Sequence, residues 1–295
     1  MTITCIIATF NREQLLVRAV ESVLQQQVDA EFEVIVLNDA GEPLQPADWQ
    51  KDSRVQVYNT NSVERCFVRN AGASMARGEW LHFLDDDDYM LPGAYSALLE
   101  IPRNPNVHWL YAAYNCVDDD GELIQNISPT LEGDLYALAV ADIGIPLGAS
   151  LINREAFLSA GGFDPYLIPG EDRELIQRIS LSGTFAACQD IVISVRVGVN
   201  GATTTPWSLS TKMSRMMREK CFCNPRCLPR VFETLPMDGG RDIVRGRLVR
   251  FYGVSAIRNM RRSPLTALSR TMVAMRFCLA GIPSGRFFRG LCGGW

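Results

Sequence analysis

Two apolar runs with an amphipathic helix between them, all within the opening stretch, constrain this chain more than any other feature. Residues 3–8 are β-rich and stop at Thr9-Phe10-Asn11-Arg12. Residues 32–37 form a second such run, which stops at Asn38-Asp39-Ala40-Gly41. Between them Leu15, Leu16, Ala19, Val20, Val23 and Leu24 recur at helical spacing. Strand, helix, strand is a βαβ opening. It predicts a parallel sheet whose ligands sit beyond the carboxyl ends of the strands.

The pattern continues. Residues 54–58 predict a third strand, 68–77 a helix ended by Gly78, and 79–84 another strand. That last strand runs into Asp85-Asp86-Asp87-Asp88. Four adjacent carboxylates repel one another, and burying them is unfavourable unless a cation arrives. They also lie where an α/β sheet binds ligands. Residues 92–99 read as a helix, and 109–117 with 122–127 as a hairpin turning at Asp118-Asp119-Asp120-Gly121. The second acidic cluster is therefore read as a turn. Neither cluster is an EF-hand: counting from Asp85, the sixth position is Met90, where that loop needs Gly. Further on, 146–152 is strand-like, 155–160 makes a short helix before Gly161-Gly162, and 185–187 and 191–197 are short strands. Glu171 and Asp172 open a helix, at the end where the helix dipole favours carboxylates.

Composition adds an asymmetry. The net charge of −4 conceals 12 Lys/Arg against 29 Asp/Glu in residues 1–211 and 17 against 4 in 212–295. The basic part calls for an anionic partner. With 295 residues there is room for one sizeable domain and an appendage, or for two domains. The start, MTITCIIATFN, has no basic leader, and no window is apolar enough to span a membrane, so neither signal peptide nor spanning helix is expected. Nine cysteines then read as reduced thiols of a cytoplasmic protein. Cys221, Cys223 and Cys227 lack a matched second pair, and His82 and His108 lie far upstream, so free cysteines are expected there rather than zinc.

Five pieces in order, Ala8-Thr9-Phe10-Asn11-Arg12, Leu37-Asn38-Asp39, Arg69-Asn70-x-Gly72, Gly78-Glu79-Trp80 leading to the four aspartates, and Gly170-Glu171-Asp172, resemble family 2 glycosyltransferases over roughly residues 3–205. The resemblance implies a GT-A fold: a mostly parallel, doubly wound mixed α/β sheet, with a helical basic extension here. The expected domains are 1–210, divided into a nucleotide-sugar half (1–117) and an acceptor half (118–210), and 211–295, Arg-rich and helical.

It also implies roles. The donor, a nucleotide-diphosphate sugar of UDP type, would meet Thr9, Phe10, Asn11, Arg12, Asp39, Arg69, Asp85 and Asp86. Asp39 matches the carboxylate that accepts the uracil imide N–H, a fitting task for an acceptor-only group. A divalent cation, Mn²⁺ or Mg²⁺, would be held by Asp87 or Asp88, with Asp85 near the ribose or the water shell. Asp172 matches the base that deprotonates the acceptor hydroxyl for inverting transfer, with Glu171 and Gly170 beside it at the acceptor. A histidine that many relatives carry near residues 195–200 is missing here, which leaves the contribution of Arg196 and residues 198–205 open.

The acceptor would be a saccharide or lipid-linked saccharide, in cell-surface polysaccharide or glycolipid assembly. Residues 241–295 mix arginines with apolar residues, as do helices lying on an anionic membrane on its cytoplasmic face; packing on the domain or a dimer contact fits equally. Nucleic acid is not an expected partner, since no recognised binding module accompanies the charge. A sugar-nucleotide pyrophosphorylase shares the architecture but needs a Gly-rich basic loop after strand one, and ATFNRE has no glycine. A non-catalytic scaffold would have no reason to retain Asp39, Asp87 and Asp172 together.

Overall fold

A computed structural model describes residues 1–61, 64–129, 131–141, 144–197, 207–223, 227–236, 240–281, 286–287 and 291. They form two compact units, Met1–Leu135 with Gly144–Met213, and Tyr136–Ile143 with Ser214–Trp295.

The first unit opens as the sequence predicts: β1 (Ile3–Thr9), α1 (Glu13–Leu24), β2 (Phe32–Asn38) and β3 (Val55–Asn59), then α2 (Arg65–Met75) and β4 (Trp80–Asp85). These strands are parallel in the order β3-β2-β1-β4. After β5 (Tyr89–Met90) and α3 (Ala94–Glu100) come β6 (Val107–Val117) and β7 (Leu123–Ile127). Next are α4 (Tyr136–Val140), which belongs to the second unit, β8 (Ser150–Asn153), α5 (Arg154–Ala160), α6 (Glu171–Ile179) and β9 (Thr184–Arg196). The same sheet continues β4-β8-β6-β9-β5, with β7 on the side of β6. Here β8 runs antiparallel to both β4 and β6, whereas β6 and β9 are parallel. A parallel half thus meets a mixed half beside β4, the strand that carries the aspartates.

Two boundaries differ from the sequence reading. Helix α2 starts three residues before the expected position, because the Glu64 carboxylate accepts from the N–H groups of Cys66 and Phe67, both at 2.9 Å. That side-chain cap satisfies donors which would otherwise be orphaned. The two short strands expected over 185–197 are one strand, β9, whose register against β6 slips between Tyr111 and Tyr114.

Two buried polar groups in the sheet, Glu33 and His82, find their partners within the fold. Glu33, in the middle of β2, accepts from Thr4 Oγ1 at 2.7 Å and from Arg77 Nε at 2.7 Å. Burial alone would raise its carboxyl, but the hydrogen bonds from Arg77 and Thr4 hold it below the usual range. His82 is a core histidine: burial pushes its imidazole down to about 4, so it stays neutral between Tyr95 OH (3.0 Å) and the Gly148 carbonyl (2.8 Å).

Gly72 explains how α2 lies so close to the sheet. A Cβ there would sit 2.7 Å from Ile6 Cγ2 and 2.8 Å from Leu37 Cδ1, both core side chains with no room to withdraw. Gly72→Ala is therefore expected to destabilise the fold by about 1–3 kcal/mol, the ordinary range for overpacking, despite alanine's better helix propensity. A denaturant titration checks this, and an unchanged midpoint would refute the close-approach account.

The second unit is helical: α4, the end of α7 (Trp207–Cys223), α8 (Cys227–Glu233), α9 (Gly240–Asn259) and α10 (Pro264–Leu279). Helices α9 and α10 form an antiparallel hairpin. Arg245 is wholly buried against the end of α10. It donates to the carbonyls of Phe277 (3.0 Å), Cys278 (2.8 Å) and Gly281 (2.6 Å) and pairs with Asp242 at 2.8 Å. A cation on orphan carbonyls at a helix C-terminus suits the helix dipole. Glu219 binds Ser255 Oγ and Arg270, each at 2.5 Å. Among the described residues, no helix is long and apolar enough to cross a membrane. The side chains of Cys221 and Cys223 lie outside the described residues, as do residues 198–205; Cys227 is a buried free thiol.

Candidate active site

The carboxyl ends of β1, β2 and β4 open on a cleft of about 320 Å³, within the range of small-ligand sites. Thr9, Phe10 and Arg12 reach it from the end of β1, Asp39 from the end of β2, and Asp85, Asp86 and Asp87 from the end of β4. Helix α2 closes the side with Arg65, Val68 and Arg69. Asn11 does not line the cleft. It makes the turn between β1 and α1 with φ 55°, a left-handed conformation that asparagine tolerates better than most residues.

The four aspartates divide by position. Oxygens of Asp85, Asp87 and Asp88 all lie within 4.8 Å of one another, the one such grouping of metal-ligating side chains among the described residues. Asp86 points elsewhere: it is buried, accepting from Thr9 Oγ1 at 2.7 Å and from Arg12 Nη1 at 3.2 Å. Arg12 also reaches Asp87 at 3.0 Å. Asp88 is buried, and its hydrogen bond comes from the backbone N–H of Arg196 at 2.9 Å.

This crowding shows in the protonation of the cluster. Burial, then the neighbouring charge of Asp85, pushes the Asp88 carboxyl up to about 8. Burial raises Asp86 to about 6 despite the hydrogen bond from Thr9. Asp87 is also raised, by burial and by Asp85. Three converging carboxylates, one of them buried without a side-chain cation among the described residues, suit a hard divalent ion with oxygen ligands.

Next to the arginines of α2, helix α6 brings Glu171 and Asp172, neither of which lines the cleft itself. Glu171 is buried and paired with two arginines of α2: Arg65 Nε at 2.8 Å and Arg69 Nη1 at 3.4 Å. Arg69 is itself buried and hydrogen-bonds Asp85 with its other terminal nitrogen. One guanidinium therefore ties the acidic end of β4 to the start of α6. Asp172 is half-buried, and its carboxyl is raised by burial and by the charge of Glu171. Gly170 precedes α6 with φ 114°, and its N–H donates to Glu171 Oε2 at 3.0 Å.

Asp39 is buried, receives Thr60 Oγ1 at 2.8 Å, and lines the same cleft. The second acidic cluster is a turn, as read from sequence: Asp118 accepts from the N–H groups of Asp120 and Glu122 and Gly121 has φ 86°. Arg196, left open by the sequence, pairs with Asp119 at 2.8 Å. Arg65 and Glu64 escaped the sequence reading. Arg65 could have been found, since it stands four residues before Arg69 and so shares its helix face.

A parallel nucleotide-type half-sheet that passes, at an acidic strand end, into a mixed half is the architecture of GT-A glycosyltransferases. Solved structures of similar fold agree. The structure of Staphylococcus aureus TarS 1–349 in complex with UDP-GlcNAc superposes with TM-score 0.60 at 15% identity, covering 100% of this chain and 93% of that one. In sequence, the profile "Glycosyl transferase family 2" matches residues 4–155, and the chain belongs to that family. It is 30% identical over 189 residues to an uncharacterized glycosyltransferase of Haemophilus influenzae, covering 62% of this chain and 63% of that protein. It is also 30% identical over 133 residues to the GalNAc(5)-diNAcBac-PP-undecaprenol β-1,3-glucosyltransferase of Campylobacter jejuni, covering 43% of this chain and 42% of that protein. The chain thus aligns with less than two thirds of either relative's length.

Proposed function

We propose that this chain is an inverting glycosyltransferase that moves a sugar from a UDP-linked donor to an acceptor hydroxyl on a saccharide or lipid-linked saccharide. The observation that carries the proposal is the bridge made by Arg69, which holds Asp85 and Glu171 at once and so fixes the acidic strand end against the helix bearing Asp172.

In this reading Asp39 accepts the imide N–H of uracil, while the Thr9-Phe10 segment lies along the base. Arg69, Arg65 and Arg12 supply positive charge at the mouth of the acidic cluster, where the diphosphate belongs. Asp85, Asp87 and Asp88 hold Mg²⁺ or Mn²⁺. When bound, that ion supplies Lewis-acid neutralisation of the departing diphosphate. Asp172 takes the acceptor O–H proton as that oxygen bonds to the anomeric carbon, and the bond from that carbon to the diphosphate breaks with its electron pair leaving on UDP. The raised Asp172 carboxyl suits a base that works nearer neutrality than a free aspartate. Glu171 positions Arg65 and Arg69; with its carboxylate already paired to both, it has little left to offer an acceptor.

The supporting features in other proteins are the UDP-GlcNAc complex of TarS and the polyprenyl-linked substrate named for the Campylobacter relative. The test is a panel of nucleotide sugars incubated with Mn²⁺ or with chelator, with released nucleoside diphosphate as readout. Metal-dependent turnover of a UDP-sugar is expected. Failure of every donor to bind at millimolar concentration would return the chain to a scaffold role.

Arg69 provides a separate check. Lysine keeps the charge but not the planar fork, so it cannot serve Asp85 and Glu171 together. Arg69→Lys is expected to weaken UDP binding at least about tenfold, consistent with the loss of one charge-assisted hydrogen bond. Calorimetric titration with UDP measures this; wild-type affinity would leave Arg69 with a purely structural role.

A further inference from the structure

The helical unit carries a surface that its own packing does not explain. Residues 243–295 contain ten arginines and no aspartate or glutamate. Part of that charge is structural: Arg245 caps α10, Arg270 pairs with Glu219, and Arg247 donates to the Ala141 carbonyl at 3.2 Å. The remainder includes Arg258, Arg261 and Arg262, which are exposed at the end of α9 and in the turn to α10 and make no ion pair among the described residues. That turn is ordered by backbone bonds from Arg262 and Ser263 to the Asn259 carbonyl, at 3.1 and 2.8 Å.

Large apolar side chains are exposed in the same place. Ile257 and Met260 precede the turn at 68% and 62% exposure, and Leu265 and Leu268 follow it at 81% and 59%. Along α10 the exposed series continues through Met272 and Met275 to Leu279. Meanwhile Val273 and Phe277, on the other side, are buried. Contiguous exposed apolar surface of this kind marks an interaction site.

We propose that the tip of the α9–α10 hairpin docks on an anionic lipid bilayer, with Leu265 and Leu268 entering the headgroup boundary and Arg258, Arg261 and Arg262 meeting lipid phosphates. Charge complementarity selects this occupant over a second copy of the chain. Paired tips would bring like charges together. The α10 residues do follow the alternating three–four spacing of a two-helix seam, but over only about two heptads, short of the three to four that sustain a coiled coil. A helix of 16 residues is also too short to span and suited to lie in the interface plane. The inference deepens the lipid-linked acceptor reading above. It needs no turnover to be tested.

The experiment is flotation of the full chain with vesicles of phosphatidylcholine alone or with one third phosphatidylglycerol (roughly, a strongly anionic surface). The chain is expected to float with the anionic vesicles and to be released as salt rises. An arginine near such a surface strengthens binding about fivefold, so replacing all three by glutamine is expected to weaken it ~100-fold. Leu265→Glu with Leu268→Glu should abolish flotation; both sites are exposed, so the fold is retained, and circular dichroism verifies this. Three results would each overturn the proposal: no flotation of wild type, flotation indifferent to the arginine replacements, or a stable dimer by sedimentation that the leucine replacements dissociate. Because UDP binding is measured separately, loss of the lipid inference leaves the donor assignment intact, and the reverse holds too.

Discussion

Asp172→Asn is expected to lower the turnover number by about 10²–10⁴-fold, the usual contribution of a general base, while UDP affinity stays within about twofold of wild type. The substitution is isosteric and leaves the Arg65–Glu171–Arg69 pairing in place, so the cleft that holds the nucleotide is unaltered. Its effect on pH dependence has a definite sign. Burial and the Glu171 charge raise the Asp172 carboxyl, so the wild-type rate falls as acidification protonates it, beginning at a higher pH than for a free aspartate. The variant's residual rate loses that acid limb. Coupled-assay kinetics with calorimetry for UDP separate the two effects. A variant that loses UDP binding along with turnover would move Asp172 from the acceptor side to the donor side.

Asp88→Asn is expected to do two opposite things. It should reduce turnover by about 10²–10³-fold, as when one group stabilising developing charge is removed, and it should make the metal-free protein more stable. The second expectation follows from linkage. A carboxyl raised to about 8 in the folded state binds its proton more tightly than in the unfolded chain. Between roughly pH 4 and 8 the folded state therefore holds more protons, so stability falls as pH rises. Metal-free wild type should melt at lower temperature at pH 8 than at pH 6, and Asp88→Asn should flatten that slope. With Mn²⁺ present the wild-type trend reverses, because ligation needs deprotonated carboxylates. Melting curves at both pH values, with chelator and with Mn²⁺, decide this. A variant that melts lower than wild type in chelator would mean that Asp88 is not held under repulsion.

Much of the site was legible because strand ends were. The runs over 3–8, 32–37 and 79–84 are each followed within two residues by a polar side chain that the structure delivers to one cleft: Thr9, Asp39 and Asp85. Hydrophobic period and strand order suffice for that. Side-chain direction is harder. Successive residues leaving a strand diverge, so four adjacent aspartates read alike in sequence, whereas Asp86 turns to Thr9 and Arg12 and its neighbours converge. The role of Glu171 was equally hidden, since its partners stand 106 and 102 residues earlier. Sequence pattern reports local periodicity and carries no information on pairing over such separations. The single strand β9 looks like two in sequence because its irregular middle, Gln189 and Asp190, interrupts the apolar alternation, while β6 holds it in the sheet.

Helix α4 sets a practical limit on dissecting this chain. Its five residues, Tyr136–Val140, are all buried, yet they are encoded in the midst of the first unit and fold with the second. The Ala137 N–H is satisfied by Thr234 Oγ1 at 3.0 Å, and the Val140 carbonyl by Arg218 Nε at 3.1 Å. A stop codon after residue 213 would leave that helix with its apolar side chains and both polar groups deprived of their partners. Such a fragment is a candidate for aggregation rather than an isolated enzyme. Exchange of the basic tail between related chains must accordingly carry residues 136–143 with it, as two segments inherited together.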